Sequence, residues 1–227
     1  MPPKDRNLKS VLGTISENVR KTLVKSRPKA DFDMLVCGGA PGIGKTRFGK
    51  ELFNYLQNHW ELPHPWTREQ VYLKYLYMDF GNGIQLVRED EGITDPSVIM
   101  GLRMAYCYFI EEQYSLTFET FRSLVREHMN LFTISGALEA ISKHIGVKRE
   151  QQLFLFLHID EFQNIDKWGQ DTGKDKATFF KDMVRSLATF MHSSATTTFI
   201  QTFLSGTAPR AFVKIQEPTS VSFRFIE

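Results

Sequence analysis

Gly39-Ala40-Pro41-Gly42-Ile43-Gly44-Lys45-Thr46 spells G-x-x-x-x-G-K-[ST]. These residue types at this spacing suit the holding of a nucleoside triphosphate. Phosphate oxygens need closely spaced backbone N–H donors. A glycine-rich loop brings its main chain near enough to supply them, and a helix N-terminus adds partial positive charge beneath. Lys45 would reach the β- and γ-phosphates, and the Thr46 hydroxyl would ligate the Mg²⁺ that bridges them. With Arg47 directly after it, Gly39 to Arg47 is the candidate nucleotide-binding segment.

Binding alone is not hydrolysis, which needs a metal-bound carboxylate and a base for the attacking water. Asp160-Glu161 supplies both. Asp160 is read as holding Mg²⁺ through water, and Glu161 as polarising the nucleophilic water. A glutamate after the metal aspartate marks the additional-strand, catalytic-glutamate branch of P-loop NTPases. In that branch a further strand lies between the loop strand and the aspartate strand and ends in a polar residue that senses the γ-phosphate. The run Thr197 to Leu204 is the candidate strand, with Thr207, or failing it Ser205, as the sensor. Arg210 and Arg224 are candidate arginine fingers. Asp79-Phe80-Gly81 spells the kinase D-F-G, but no H-R-D loop accompanies it. Asp79 therefore reads as a strand end beside the metal site, and His158 as a satisfied core histidine.

The elements that must position these groups alternate between strand and helix, the pattern of a parallel sheet covered on both faces. An apolar run, Asp33 to Cys37, enters the loop, and Thr46 to Trp60 leaves it with Phe48, Leu52, Phe53 and Leu56 at helical spacing. Val71 to Met78 is β-branched and aromatic and predicts a strand. Thr94-Asp95-Pro96 predicts a helix start, continuing to about Gln113. Phe118 to Met129 and Thr133 to Ile145 predict two more helices, so residues of about 94–146 form a helical insertion between strands. Leu153 to Ile159 is too continuously apolar for a half-exposed strand and predicts a central one. A helix from about Ala177 to His192 and a last strand over Val221 to Ile226 complete the expectation. The fold class is a three-layer αβα sandwich with a parallel sheet in the order 5-1-4-3-2.

At 227 residues and 42% hydrophobic content the chain can bury one sizeable core. Its net charge of +2 divides unevenly. Residues 1–30 hold eight basic residues against Asp5 and Glu17, a balance of +6 that leaves −4 for the rest. The reading is a basic N-terminal arm or helix over 1–30, a candidate contact for DNA or an acidic partner, before an NTPase domain over 31–227. A solvated, loosely ordered terminus is the competing reading. Cys37 and Cys107, the only cysteines, form no metal-ligating pair and read as core thiols. No apolar stretch approaches the ~18 residues that span a bilayer, and the start lacks a signal peptide's apolar segment, which together predict an intracellular protein.

The wording of three segments adds a resemblance. Gly38-Gly39-Ala40-Pro41-Gly42-Ile43-Gly44-Lys45-Thr46-Arg47, Leu157-His158-Ile159-Asp160-Glu161-Phe162-Gln163 and Leu204-Ser205-Gly206-Thr207-Ala208-Pro209-Arg210 resemble motifs of the NTPase domains of Crinkler effectors and the related trypanosome retrotransposon hot spot proteins. Tyr77 to Phe80 with the Gly81-Asn82-Gly83 turn, and Met100 to Ala105, are similar too, so the match runs from about residue 32 to 226. The resemblance implies an ATPase module that usually precedes a nuclease domain and acts in a nucleus, where an effector works inside its host cell. Two departures stand out: residues 1–30 lack the family's ubiquitin-like header, and the sequence stops where the nuclease would begin.

The expectation is therefore a Mg²⁺-dependent ATPase with Lys45, Glu161 and Thr207 as catalytic residues and Thr46 and Asp160 as metal ligands, stimulated by DNA if the basic arm binds it. The alternative is an ATP-gated switch or homo-oligomerisation module with negligible turnover. A phosphate-transferring kinase has no need of Glu161. ATP is expected over GTP because no N-K-x-D base-reading motif is present.

Overall fold

The computed structural model describes residues 8–26, 28–93, 95–111, 113–165, 177–192, 197–207 and 221–226. In chain order the elements are α1 (Leu8–Leu23), β1 (Asp33–Gly38), α2 (Lys45–His59), β2 (Val71–Asp79), α3 (Pro96–Phe109), α4 (Phe118–Leu124), α5 (Ile134–Ile145), β3 (Gln152–Asp160), α6 (Ala177–His192), β4 (Thr198–Gly206) and β5 (Ser222–Phe225). The five strands form one sheet in the order β2-β3-β4-β1-β5, and every pairing is parallel. β4 thus lies between the strand that enters the glycine-rich loop and the strand that ends in Asp160.

Side chains on successive strand residues point to opposite faces, and here the alternation also sorts residue types. Along β3, Leu153, Leu155, Leu157 and Ile159 join the core on one face, while Phe154 and Phe156 join the other. α3, α5 and α6 cover the aliphatic face, where Met100, Leu102, Ile141, Val184 and Leu187 pack. α1 and α2 cover the aromatic face, where Ile15, Val19, Leu52 and Leu56 meet Phe154, Phe156, Phe199 and Phe203. Burial on both faces explains why β3 reads as a continuous apolar run, while β4 is wholly buried although it carries Thr198, Gln201, Thr202 and Ser205.

Part of the basic N-terminal segment is built into this architecture. Val11, Ile15, Asn18, Val19 and Thr22 make one buried stripe along α1. Asn18 anchors it: its side chain accepts from Asp33 N at 3.0 Å and donates to Asp33 O and Gln201 Oε1, both at 2.9 Å. The reading of a loosely ordered terminus is corrected for residues 8–23, because the spacing of those apolar positions buries a face that the charge count conceals.

Two helices are shorter than the sequence suggests. α3 ends at Phe109 rather than near Gln113, because the Tyr106 carbonyl accepts from both Ile110 N and Glu111 N and so closes the last turn. The helix predicted over Phe118 to Met129 divides at Val125 into α4 and a 3₁₀ turn, Arg126–Leu131. Val125, Met129 and Phe132 pack against the core there. Among the described residues, no helix is long and apolar enough to cross a membrane.

Candidate nucleotide site

The glycine-rich loop joins β1 to α2, the strand–loop–helix context its sequence requires. Gly42 and Gly44 have φ of 79° and 81°, which side-chain-bearing residues avoid. Gly44 stands at the N-cap of α2 and offers no side chain to cap it. The first N–H groups of α2 are thus left for an anion. Lys45 is 6% exposed, and its Nζ donates to Gly39 O at 3.3 Å and to Ala40 O at 2.9 Å. Its ammonium therefore lies over the loop. Ile43 is exposed at the loop's crest.

At the end of β3, Asp160 is almost fully buried and accepts from four donors. Oδ1 takes Ser205 Oγ at 2.5 Å and Glu161 N at 3.0 Å; Oδ2 takes the Thr46 hydroxyl and Tyr77 OH, the latter at 3.1 Å. Burial alone would raise the Asp160 pKa, but the Ser205 and Thr46 hydroxyls, His158 and Glu161 N together hold it below the ordinary carboxylate value. The fold thus joins the loop hydroxyl to the strand-end carboxylate.

Behind Asp160 runs a chain of donors that the sequence did not disclose. Ser205 spends its only proton on Asp160, so it must accept from His158 Nε2, 2.7 Å away. That fixes the tautomer: Nδ1 is an acceptor, and Tyr75 OH donates to it at 2.7 Å. Burial, opposed by the Asp160 charge, pushes the His158 pKa down to about 4, which keeps the ring neutral. His158 is the satisfied core histidine that the strand pattern predicts, satisfied by two partners from other strands. Gly49 of α2 makes room for it, since a Cβ there would collide with the imidazole and with Phe203.

Glu161 leaves the strand with φ of 53°, the left-handed region that is costly for a residue with a side chain. Its carboxylate accepts from Gln163 Nε2, and Gln163 Oε1 accepts from Thr207 N at 3.2 Å. Gln163, 5% exposed, therefore ties the candidate base to the candidate sensor segment. Of the two sensor candidates, Ser205 contacts Asp160, while Thr207 is linked to the site through its backbone. Asp79 is spent on the turn after β2, accepting from Gly81 N at 2.7 Å and from Asn82 Nδ2 at 3.0 Å. Arg224 is exposed on edge strand β5, opposite Leu35 of β1. Arg210 lies outside the described residues.

The residues present fit a triphosphate with Mg²⁺. The loop offers uncapped helix amides and a buried cation, and beside it the Thr46 hydroxyl and Asp160 carboxylate form a pair of hard oxygens of the kind Mg²⁺ prefers. Among the described residues, no group of three or more His, Cys, Asp or Glu gathers elsewhere as a metal cluster.

A five-stranded parallel α/β sheet thus carries the glycine-rich loop and the strand-end carboxylate side by side, an arrangement like that of P-loop NTPases. No protein-family model matches the sequence, and no curated protein matches it. Among solved structures the chain is similar to the ORC1 protein of Aeropyrum pernix in complex with DNA, at 12% identity and a TM-score of 0.43, over 95% of this chain and 42% of that one. It is also similar to Drosophila ORC bound to DNA, at 14% identity and a TM-score of 0.44, over 99% of this chain and 42% of that one. The chain thus spans less than half the length of either.

Proposed function

We propose that this chain binds ATP with Mg²⁺ and hydrolyses it. The observation that carries the reading is the hydrogen bond from Thr46 to Asp160, which joins the loop and the strand end that such chemistry needs together. In this reading Lys45 and the loop amides hold the phosphates, Thr46 and Asp160 hold the metal, and Glu161 orients the attacking water. Bound Mg²⁺ would supply neutralisation of the charge on the β- and γ-oxygens. Thr207 or Ser205 would register the γ-phosphate.

The test is phosphate release by wild type, Lys45→Ala and Glu161→Gln, with and without chelator. Glu161→Gln is expected to bind ATP and to lose about 10²- to 10⁴-fold in turnover, as removal of a general base does. Lys45→Ala is expected to lose binding. A Glu161→Gln protein within about threefold of wild type would overturn the assignment of the base.

One observation favours a second reading, an ATP-gated switch or oligomerisation module with negligible turnover: the Glu161 carboxylate is engaged by Gln163. A ligand at about a hundred times its Kd stabilises its target by about 2.7 kcal/mol, so a large thermal shift without phosphate release would decide for the switch.

The motif wording supports a finer assignment to the Crinkler NTPase group, with action in a nucleus and a companion nuclease domain as its implications. Lys9, Arg20 and Lys25, exposed on and just after α1, are the candidate contacts for DNA or an acidic partner. Arg210 or Arg224 would serve a neighbouring copy as the arginine finger if the chain forms a homo-oligomer.

A further inference from the structure

Next to Thr46 a cavity of about 840 Å³ opens between the first turns of α2, the edge strand β2 and the C-terminal end of α3. Its size is within the range of small-molecule sites, about 300–1,000 Å³. Two observations describe what it would take.

The first is aromatic. Tyr75 and Tyr77 contribute rings 6.5 Å apart and only 9° from parallel. Tyr108 contributes a third ring, with Lys74 Nζ 5.0 Å from its centroid. Such rings suit planar π-faces.

The second is charge. Arg47 and Lys50 line the cavity from α2 and Lys74 from β2, against one carboxylate, Glu111. Arg47 is paired with Glu51 at 2.6 Å, which leaves Lys50 and Lys74 as the cations without a carboxylate partner among the described residues. A ligand that pairs with them carries negative charge. Because β2 is an edge strand, another β-strand could in principle add to it, but Lys74 stands exposed in its middle, the device by which sheet edges resist pairing. Stacking rings with flanking cations are instead the combination that holds single-stranded nucleic acid.

We propose that this cavity is a second site, which adjoins the end of the triphosphate loop at Thr46 and Arg47 and takes a base and its phosphate from a single-stranded polynucleotide. The site is joined to the metal side of the loop, since Tyr75, one of its walls, begins the donor chain through His158 and Ser205 to Asp160. Contact with the strand is thereby transmitted to the carboxylate that would hold the metal. This last step rests on the proposed ATPase reading; the binding itself does not.

The experiment uses the full chain without ATP and follows the fluorescence anisotropy of a labelled oligothymidylate about a dozen nucleotides long. Wild type is expected to bind it with an affinity that falls steeply between about 50 and 200 mM salt. Lys74→Glu and Tyr108→Ala are each expected to weaken binding about tenfold or more, while thermal stabilisation by ATP with Mg²⁺ and the far-ultraviolet circular dichroism stay as in wild type. Binding unchanged in both variants would place the strand elsewhere, for example on α1, and overturn the proposal. So would absence of binding by wild type, or thymidine monophosphate competing as well as the oligomer. Because binding is read without turnover, its failure is separable from failure of the ATPase reading.

Discussion

Gly49 sits inside a helix, where glycine costs roughly 0.5–1 kcal/mol relative to alanine. The structure gives the reason: the place of its missing Cβ borders on the His158 ring and Phe203. Gly49→Ala should therefore destabilise despite the better helix propensity, since overpacking costs about 1–3 kcal/mol. A urea midpoint equal to or above that of wild type would show that the helix yields instead. How much of the site was legible divides along the same line. Gly39 to Thr46 and Asp160-Glu161 are contiguous in sequence, so their chemistry is written locally. The Tyr75–His158–Ser205 chain joins three strands. Nothing in the local sequence of His158 names its partners, although a histidine inside the otherwise apolar run Leu153 to Ile159 is the signal that was available.

Among the elements, α1 illustrates how a polar contact can fix the place of a helix. Asn18 is fully buried and meets the Asp33 backbone and Gln201 together. Asn18→Ala would leave Asp33 N and the Gln201 side chain short of partners, at a cost of about 1–3 kcal/mol per stranded group. The loss should be visible in chemical denaturation. A change below about half a kcal/mol would mean that water replaces the asparagine, as for a surface substitution. The helix was hard to read from sequence because its charges drew the interpretation towards an arm, although Val11, Ile15 and Val19 already recur at i and i+4. α6 was easier: the helix predicted over Ala177 to His192 covers those same residues, since its apolar spacing is regular throughout. Arg103 offered no such signal. It is wholly buried on α3, paired with Asp90 at 2.6 Å and hydrogen-bonded to the Ile84 and Gln85 carbonyls, where it pins the segment that follows β2.

For the molecule as a whole, the neutral His158 makes acidity a threat. Burial lowers its pKa from 6.5 to about 4. Between those values the unfolded chain takes up a proton that the folded chain refuses, so stability is undiminished above about pH 6.5 and falls as the pH drops towards about 4. Asp160, with its pKa held below 3.8, adds its own loss only at lower pH. Urea midpoints across this window should fall for wild type and fall less for His158→Asn. Parallel slopes for the two proteins would assign the acid sensitivity elsewhere. The overall architecture was legible because its central strand β3 is an apolar run buried on both faces and its loop is tied to one strand–helix junction.

The strand order carries a further consequence, for the course of folding. β2, β3 and β4 follow one another both in sequence and in the sheet, so they can assemble as successive crossovers. β1 cannot: its neighbours are β4 and β5, the last two strands, and Leu35 must find Phe203 on one side and Arg224 on the other. The earliest strand is thus held by the latest ones, a long-range closure of the kind that slows folding. The glycine-rich loop is attached to that strand, so the loop reaches Asp160 through the pairing of β1 with β4, a strand that follows it by about 160 residues.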